Sequence, residues 1–588
     1  MRPNLNRFVI KFAGESGQGI NSVGEILARA IKDSGYYTFS YREYPSLIQG
    51  GHASYQLDIS NKPLNSSTLK CDILICVSRK SIYEYLPSLN SNGLLIHSLP
   101  QLHLDSTLQK VADDNKLTIV YVNAPELATL NGGSTIMANT ALLGVLWQVL
   151  TLQYATLQKR ISQRFGSKPA LLETNLKVLE AGYKVNLNLI QADRYNLNAL
   201  IPANNTDANS AALIISGNHA LSLGAIAAGL RAYYAYPMTP SSSILTYLAD
   251  TYKQTGILVK QAEDEITAAQ MSLGSMHMGA RSMVATSGGG FDLMTETITL
   301  AGMTETPFVC VLAQRSGPAT GLPTWTGSDN LEVAIYGGHG DMPRAVLAIS
   351  DPQSAYTLIQ KAFNLAEEYQ IPVIVLTDKQ IAESLYHVEK LSESLPIERW
   401  LVTGEESEKL KPEDRYKVTE FGVSKRWVPG SAKATYLANS DEHDEKGNSI
   451  EDAATAKAQM EKRMLKMTSL KDKLEEPEYY GDPNPDILFV GWGSVKNVMQ
   501  DLISLPSTVR ESLRIGYLHY ENIFPVKVEK LNELAAHAKE VILIENNYTG
   551  QLGKLLAAES SIVFTDKLLK YDGRAFFIDE LVEYINKF

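Results

Sequence analysis

The sequence predicts a multidomain α/β protein with parallel sheets, on three observations. At 588 residues the chain exceeds what one hydrophobic core spans, and roughly 100 to 200 residues per domain gives three or four units. Short apolar runs alternate with amphipathic helical patterns in three separate stretches, the arrangement that builds sheets with crossover helices. Between the second and third of these lies a segment of dense charge and short apolar runs.

The first unit, 1–190, opens with an apolar strand at Arg7–Phe12, a glycine-rich turn at Gly14–Gly19 and an amphipathic helix over Val23–Lys32. Further strands are expected at Asp72–Val77, Gly93–Ile96 and Thr118–Val122. Ile136–Leu152 is strongly apolar, but Asn139, Thr140, Gln148 and Thr151 interrupt it, so it reads as a buried helix. A polar stretch within 191–211 reads as a linker. The second unit, 212–388, carries strands at Ser282–Ala285, Phe308–Leu312 and Pro372–Leu376. The charged segment, 389–485, is expected to wrap other domains, and Glu461–Leu474 reads as a solvated helix laced with Lys and Glu. The third unit, 486–588, has strands expected at Ile487–Val490, Ser512–Tyr517 and Glu540–Ile544.

Composition narrows the function. A formal charge of -11 and the lack of a basic run argue against nucleic acid as a partner. No stretch reaches the length of a membrane span, and the N-terminal residues lack the apolar core of a secretory signal, so a cytoplasmic location is expected. Cys71, Cys76 and Cys310 form no C-x-x-C pair, which points to buried thiols rather than cluster, zinc or disulfide chemistry in this chain.

Several segments bear on candidate chemistry. Tyr234–Leu245, YAYPMTPSSSIL, places Pro240 and several serines where a helix would start, and by spacing alone it reads as a capped helix. In Gln261–Arg281, Glu265 is followed by Ala268, Ala269 and Gly274, small residues that let a helix pack closely while the acid stays at its buried start. Glu263 does not fit that spacing and is the alternative. Two exposed acids favoured by the helix dipole are the plainer account. Ser287, Gly288 and Gly289 end a strand in a run where backbone can approach a flat ring, or simply turn. Leu312–Asp341 contains QRSGPATGLPT, in which Arg315 has the planar fork suited to a carboxylate. Gly14, Gly17 and Gly19 offer loose phosphate-loop logic without the lysine of a P-loop or the glycine order of a dinucleotide site. The run Asp441, Glu442, His443, Asp444 and Glu445 reads as solvated charge rather than a metal site.

Taken together, these segments resemble the α subunits of 2-oxoacid:ferredoxin oxidoreductases. The YP-x-TPSS and QR-x-GP-x-TGLPT stretches match that family's signatures. Glu43–Ser60 and Asn131–Gly144 resemble its γ domain, Gly422–Gly430 and Ala438–Asp452 resemble further landmarks, and Val541–Leu556 resembles its transketolase C-terminal-like domain. The resemblance implies a γ-type domain, then a pyrimidine-binding thiamine diphosphate domain, then the C-terminal-like domain, with 2-oxoglutarate as the leading substrate ahead of pyruvate and branched-chain or aryl 2-oxoacids. It implies that Glu265 bonds N1′ of the aminopyrimidine, and that Tyr236, Pro237, Thr239 and Pro240 lie beside the cofactor. It also implies that Arg315 holds the substrate carboxylate, that Thr324 lines the same pocket with His339 nearby, and that the Gly14–Gly19 loop contacts coenzyme A.

The chain lacks a GDG motif followed by a distant Asn, so the resemblance assigns Mg2+ and a 4Fe–4S cluster to a separate iron–sulfur β subunit. The cofactor is then shared between α and β in an (αβ)₂ assembly that reduces ferredoxin. One departure stands out. After GLPT, where related chains often carry a basic residue, this chain has Trp325, Thr326, Gly327, Ser328 and Asp329. The rival readings are an NAD-type oxidoreductase and a non-catalytic scaffold subunit.

Overall fold

The computed structural model describes residues 7–47, 50–187, 194–203, 211–506, 510 and 513–588. Part of the expected linker therefore lies outside the described residues.

Among the described residues the N-terminal sheet has eight strands, ordered Thr118–Tyr121, Leu89–His97, Cys71–Cys76, Phe8–Ser16, Gly50–Ser60, Tyr37–Glu43, Tyr386–Val388 and Leu213–Ile215. Phe8–Ser16 pairs parallel with Cys71–Cys76 and antiparallel with Gly50–Ser60, so the sheet is mixed rather than parallel throughout. Gly50–Ser60 also pairs antiparallel with Tyr37–Glu43, so this strand runs against both of its neighbours. The helix expected near Ile136–Leu152 runs from Ala138 to Val149 and is buried on nearly every face, which explains its apolar sequence. Two strands from the stretch 212–388, Leu213–Ile215 and Tyr386–Val388, complete this sheet rather than the next one. The three cysteines are buried and none forms a disulfide.

The second sheet orders Asn522–Phe524, Ala345–Ala348, Pro372–Asp378, Phe308–Gln314, Ser282–Thr286, Ala232–Ala235 and Leu258–Gln261. Its central strands are buried on both faces, as parallel strands between helix layers must be, and this is why they read as continuous apolar runs. Its edge strand Asn522–Phe524 comes from the C-terminal unit and pairs antiparallel with Ala345–Ala348. The two units also share one apolar core, in which Phe291, Ile298 and Leu312 pack with Val490, Trp492 and Leu518.

The third sheet orders Glu478–Gly481, Ile515–Tyr520, Ile487–Trp492, Glu540–Glu545 and Asp566–Leu569. Of the strand expected from Ser512 to Tyr517, Ser512 lies outside the described residues, and the strand runs Ile515–Tyr520. Phe39 and Tyr41 of the N-terminal sheet meet Tyr386 and Phe577 edge-on, which locks the first unit to both others.

The charged segment differs from expectation in two respects. Its helix is longer, Ala453–Lys473, and is not fully solvated: Gln459, Lys462, Arg463, Lys466 and Leu470 form a buried face at helical spacing. Lys462 and Lys466 each place Nζ 2.5 Å from the buried carboxylate of Glu305. His443 is also buried, tilted against Tyr416 at 4.2 Å between ring centroids, and Asp444 uses its carboxylate to close its own turn through Lys446 and Asn448. Of this run only Asp441 is exposed; Glu442 takes two hydrogen bonds from Arg463, and the Glu445 carboxylate accepts the Val418 N–H, so the run is a folded, paired turn rather than solvated charge. No helix among the described residues is long and apolar enough to cross a membrane.

Candidate active site at the carboxyl edge of the central sheet

Helix Glu265–His277 starts where Asp264 caps it, its carboxylate accepting the Thr267 N–H at 2.7 Å. That cap turns the next residue inward. Glu265 is 5% exposed, whereas Glu263 lies on the surface. Ala268 and Ala269 are fully buried and let the helix lie close to the sheet. The Glu265 side chain rests against the start of helix Gly288–Met303. A Cβ on Gly290 would sit 2.7 Å from Glu265 Cγ and 2.1 Å from Thr286 Oγ1, so only glycine leaves room for the acid.

The same corner contains buried polar atoms with no partner. Ser287 occupies the N-cap position of Gly288–Met303 without capping it, and its Oγ, fully buried, has no hydrogen bond. Asn330 Oδ1 is likewise unsatisfied, and its amide group lies 3.1 Å from where a Gly288 Cβ would be. Gly289 faces open space. Orphaned buried acceptors of this kind are costly unless a bound group satisfies them. An aminopyrimidine, flat and edged with donors and acceptors, fits this set of a buried carboxyl, a hydroxyl, an amide and exposed glycine backbone.

The turn before helix Ser242–Thr255 is fixed from two sides. Arg315 Nη1 donates to the Thr239 carbonyl at 2.9 Å, and Asn218 Nδ2 donates to the Pro240 carbonyl and Ser243 Oγ, each at 2.8 Å. Thr286 Oγ1 reaches Met238 Sδ at 3.9 Å, tying this turn to the Glu265 corner. The expectation of Pro240 in the first helical turn fails: the helix begins at Ser242, and Ser241 spends its hydroxyl on the Met238 carbonyl instead of capping. Tyr236 and Pro237 stand exposed at the rim.

The loop from Arg315 to Asn330 is held by every unit. Gly317 N–H donates to Asp329 Oδ2 at 2.9 Å within it. Thr324 Oγ1 donates to the Tyr44 carbonyl at 2.6 Å, so its proton is committed to the N-terminal unit. Thr324 therefore acts here as a junction between units rather than as a free pocket donor. From the C-terminal unit, Gly573 and Asn546 carbonyls accept the Thr326 and Ser328 N–H groups, and Gln551 bridges the Asp329 carbonyl and the Leu331 N–H. Burial lowers the Arg315 guanidinium from its usual range and raises the Asp329 carboxyl.

His339 is not part of this corner. It lines a cavity with Thr299, Gly302 and Met303, and Thr299 lies 11 residues from Gly288, about 17 Å down the helix at 1.5 Å per residue. Gly14, Gly17 and Gly19 form a second locale. Gly17 and Gly19 have positive φ, a Gly14 Cβ would clash with Val77 at 2.6 Å, and the turn borders a cavity of about 370 Å³ lined by Gln18, Ser98 and Asn139. Sequence reasoning missed Asn218, Thr286, Gly290 and Asn330. Of these only Gly290 had a signal, as the third glycine of a run whose first two were singled out.

Comparison with known proteins accounts for this layout. Residues 9–185 match the pyruvate ferredoxin/flavodoxin oxidoreductase family, and residues 223–463 match its thiamine diphosphate-binding domain. The chain is 30% identical to a 2-oxoacid:ferredoxin oxidoreductase subunit alpha from Sulfolobus sp, over 98% of this chain and 96% of the relative. The chain belongs to the 2-oxoacid:ferredoxin oxidoreductase α-subunit family. This membership makes it a subunit of an oxidoreductase, as the signature stretches implied. Within the family it is 26% identical to the 2-oxoglutarate oxidoreductase subunit KorA of Mycobacterium tuberculosis, over 99% of this chain and 92% of that one. A solved 2-oxoglutarate:ferredoxin oxidoreductase from Magnetococcus marinus, with 2-oxoglutarate, coenzyme A and succinyl-CoA bound, superposes with a TM-score of 0.89 at 29% identity and covers 99% of both chains.

Proposed function

We propose that this chain is the thiamine diphosphate-binding subunit of an enzyme that oxidatively decarboxylates 2-oxoglutarate to succinyl-CoA, passing electrons to ferredoxin through a separate iron–sulfur β subunit. The observation that carries the reading is the buried Glu265 carboxyl, set among the orphaned Ser287 Oγ and Asn330 Oδ1 and walled by Gly290. When bound, thiamine diphosphate supplies the carbon nucleophile and the electron sink that decarboxylation requires. Glu265 holds a proton at N1′ of the ring, and Ser287 and Asn330 orient its edge. Arg315, whose Nη1 alone is spent on Thr239, turns the rest of its fork toward the substrate carboxylate. The Thr239 turn covers the reacting atoms and excludes water.

Tyr236, Ile266 and Leu293 are exposed at this rim, and they support placing β, with its Mg2+ and diphosphate site, against this edge in an (αβ)₂ assembly. The cavity beside Gly17 and Gln18 suits a phosphate-bearing part of coenzyme A.

The test is viologen reduction by the chain co-purified with β, coenzyme A and a panel of 2-oxoacids. 2-Oxoglutarate should exceed pyruvate in kcat/KM by about tenfold or more, a margin of ~1.4 kcal/mol in transition-state binding. Silence across the panel, with the β cluster present, would replace this reading with a scaffold role. In the same preparation, coenzyme A should slow amide exchange over Gly14–Gly19. Unchanged exchange at saturating coenzyme A removes that loop from the site.

A further inference from the structure

We propose that Arg574 binds an anionic group on one of the two co-substrates and so sets which are accepted. This rests on the reading above. Arg574 comes from the C-terminal unit and lays its guanidinium 3.9 Å from the centroid of the Trp325 ring. Trp325 follows Thr324 in the loop that begins at Arg315, so one loop carries Arg315 at its start and the stacking partner of Arg574 further along. Stacking fixes the plane of the fork and leaves only its edge for hydrogen bonding.

Little of that edge is used. Nη1 donates to the Asp572 backbone carbonyl at 3.0 Å, while the Asp572 carboxylate accepts the Arg574 backbone N–H at 2.9 Å. Among the described residues no carboxylate lies within 4.0 Å of the guanidinium nitrogens. Glu43 acts on Arg574 only at longer range, and its carboxylate already accepts the Tyr85 hydroxyl at 3.0 Å and the Ser54 hydroxyl at 3.4 Å. The edge is also reachable: Arg574 is half-buried, and Leu322 and Tyr571 beside it are exposed, with Tyr548 edge-on to Tyr571.

A preorganised, half-buried guanidinium with free donors recognises a carboxylate or phosphate through two charge-assisted bonds. Both chemistries occur among the co-substrates, as the far carboxylate of a dicarboxylic 2-oxoacid and as the phosphates of coenzyme A. A purely structural clamp of Trp325 would instead leave both Michaelis constants alone.

The test uses Arg574→Gln and Arg574→Lys in the complex with β. Loss of the fork should raise one Michaelis constant about tenfold while kcat changes less than about twofold, the signature of lost uniform binding. A rise for 2-oxoglutarate with 2-oxobutyrate unchanged identifies the carboxylate. A rise for coenzyme A identifies the phosphate. Arg574→Lys should restore part of the affinity by charge alone, and unchanged constants for both co-substrates overturn the proposal. A second arm needs no variant: phenylglyoxal labelling of Arg574 in the wild-type complex, read by peptide mass, should fall under saturating 2-oxoglutarate or coenzyme A. Equal labelling with and without each overturns the proposal, whether or not the wild-type turns over. Absence of wild-type activity on the panel counts against the functional reading alone.

Discussion

Glu265→Gln should leave a folded, β-associated chain whose complex oxidises 2-oxoacids about 10² to 10⁴-fold more slowly, the range lost when a positioned acid is removed. Glutamine keeps the shape that Gly290 accommodates and can still donate a hydrogen bond, but it cannot move a proton at N1′. The defect should therefore appear in kcat, with thermal stability and β recovery near wild type. Exchange of the thiamine C2 proton for deuterium, followed in the assembled complex, isolates the step from later electron transfer and should slow in proportion. Glu263→Gln, on the surface two residues earlier, is the control and should lower neither rate. If Glu263→Gln slows exchange and Glu265→Gln does not, the assignment of the acid is reversed.

This choice between two acids shows what was legible in the sequence. Helical spacing of Ala268 and Ala269 after Glu265 was enough to single out the inward acid, because small residues on one face dictate how near a helix approaches its sheet. The strands at Ser282, Phe308 and Pro372 were equally legible, since burial on both faces leaves an unbroken apolar run. What could not be read was anything set by chain segments distant in sequence. Leu213–Ile215 and Tyr386–Val388 close the N-terminal sheet, and Asn522–Phe524 edges the central one, pairings to which no local pattern points. Asn330 and Asn218 matter through neighbours they meet only in the folded state, and Thr324 gave no hint that its hydroxyl is spent on Tyr44. The helix at Ala453–Lys473 misled for a related reason. Lys462, Arg463 and Lys466 look solvated in a charged segment, yet the two lysines close on Glu305 of the second unit, and Arg463 pairs with Glu442 across a fold of the segment itself.

Glu305→Gln should be strongly destabilising. Glu305 is fully buried, and Lys462 and Lys466 both close on its carboxylate at 2.5 Å. Arg415 donates to its backbone carbonyl at 2.8 Å and to that of Thr304 at 3.1 Å. Burial alone would raise the Glu305 carboxyl, but the charges of Lys462, Lys466 and Arg415 outweigh it and hold the group well below the usual carboxylate range. Removing that one negative charge leaves three buried cations without compensation, a loss of about 3–5 kcal/mol. At about 2–4 °C per kcal/mol for a unit of this size, the first thermal transition should fall by roughly 10 °C. Limited proteolysis should open the segment around Ala453–Lys473 before the sheets, because Glu305 is the buried charge that ties that helix to the second unit, beside the packing of Leu470.

The pH dependence has a definite sign. The folded carboxyl is depressed, so its contribution is present above the unfolded carboxylate pKa of about 4.3 and is lost as pH falls below it. The stability gap between wild type and Glu305→Gln should therefore narrow in acid. Replacing Glu305, Lys462 and Lys466 together by methionine separates charge from packing: it removes the carboxylate without stranding the lysines and should cost far less than Glu305→Gln alone. A triple variant as unstable as the single one would mean that shape, not charge, fastens this helix.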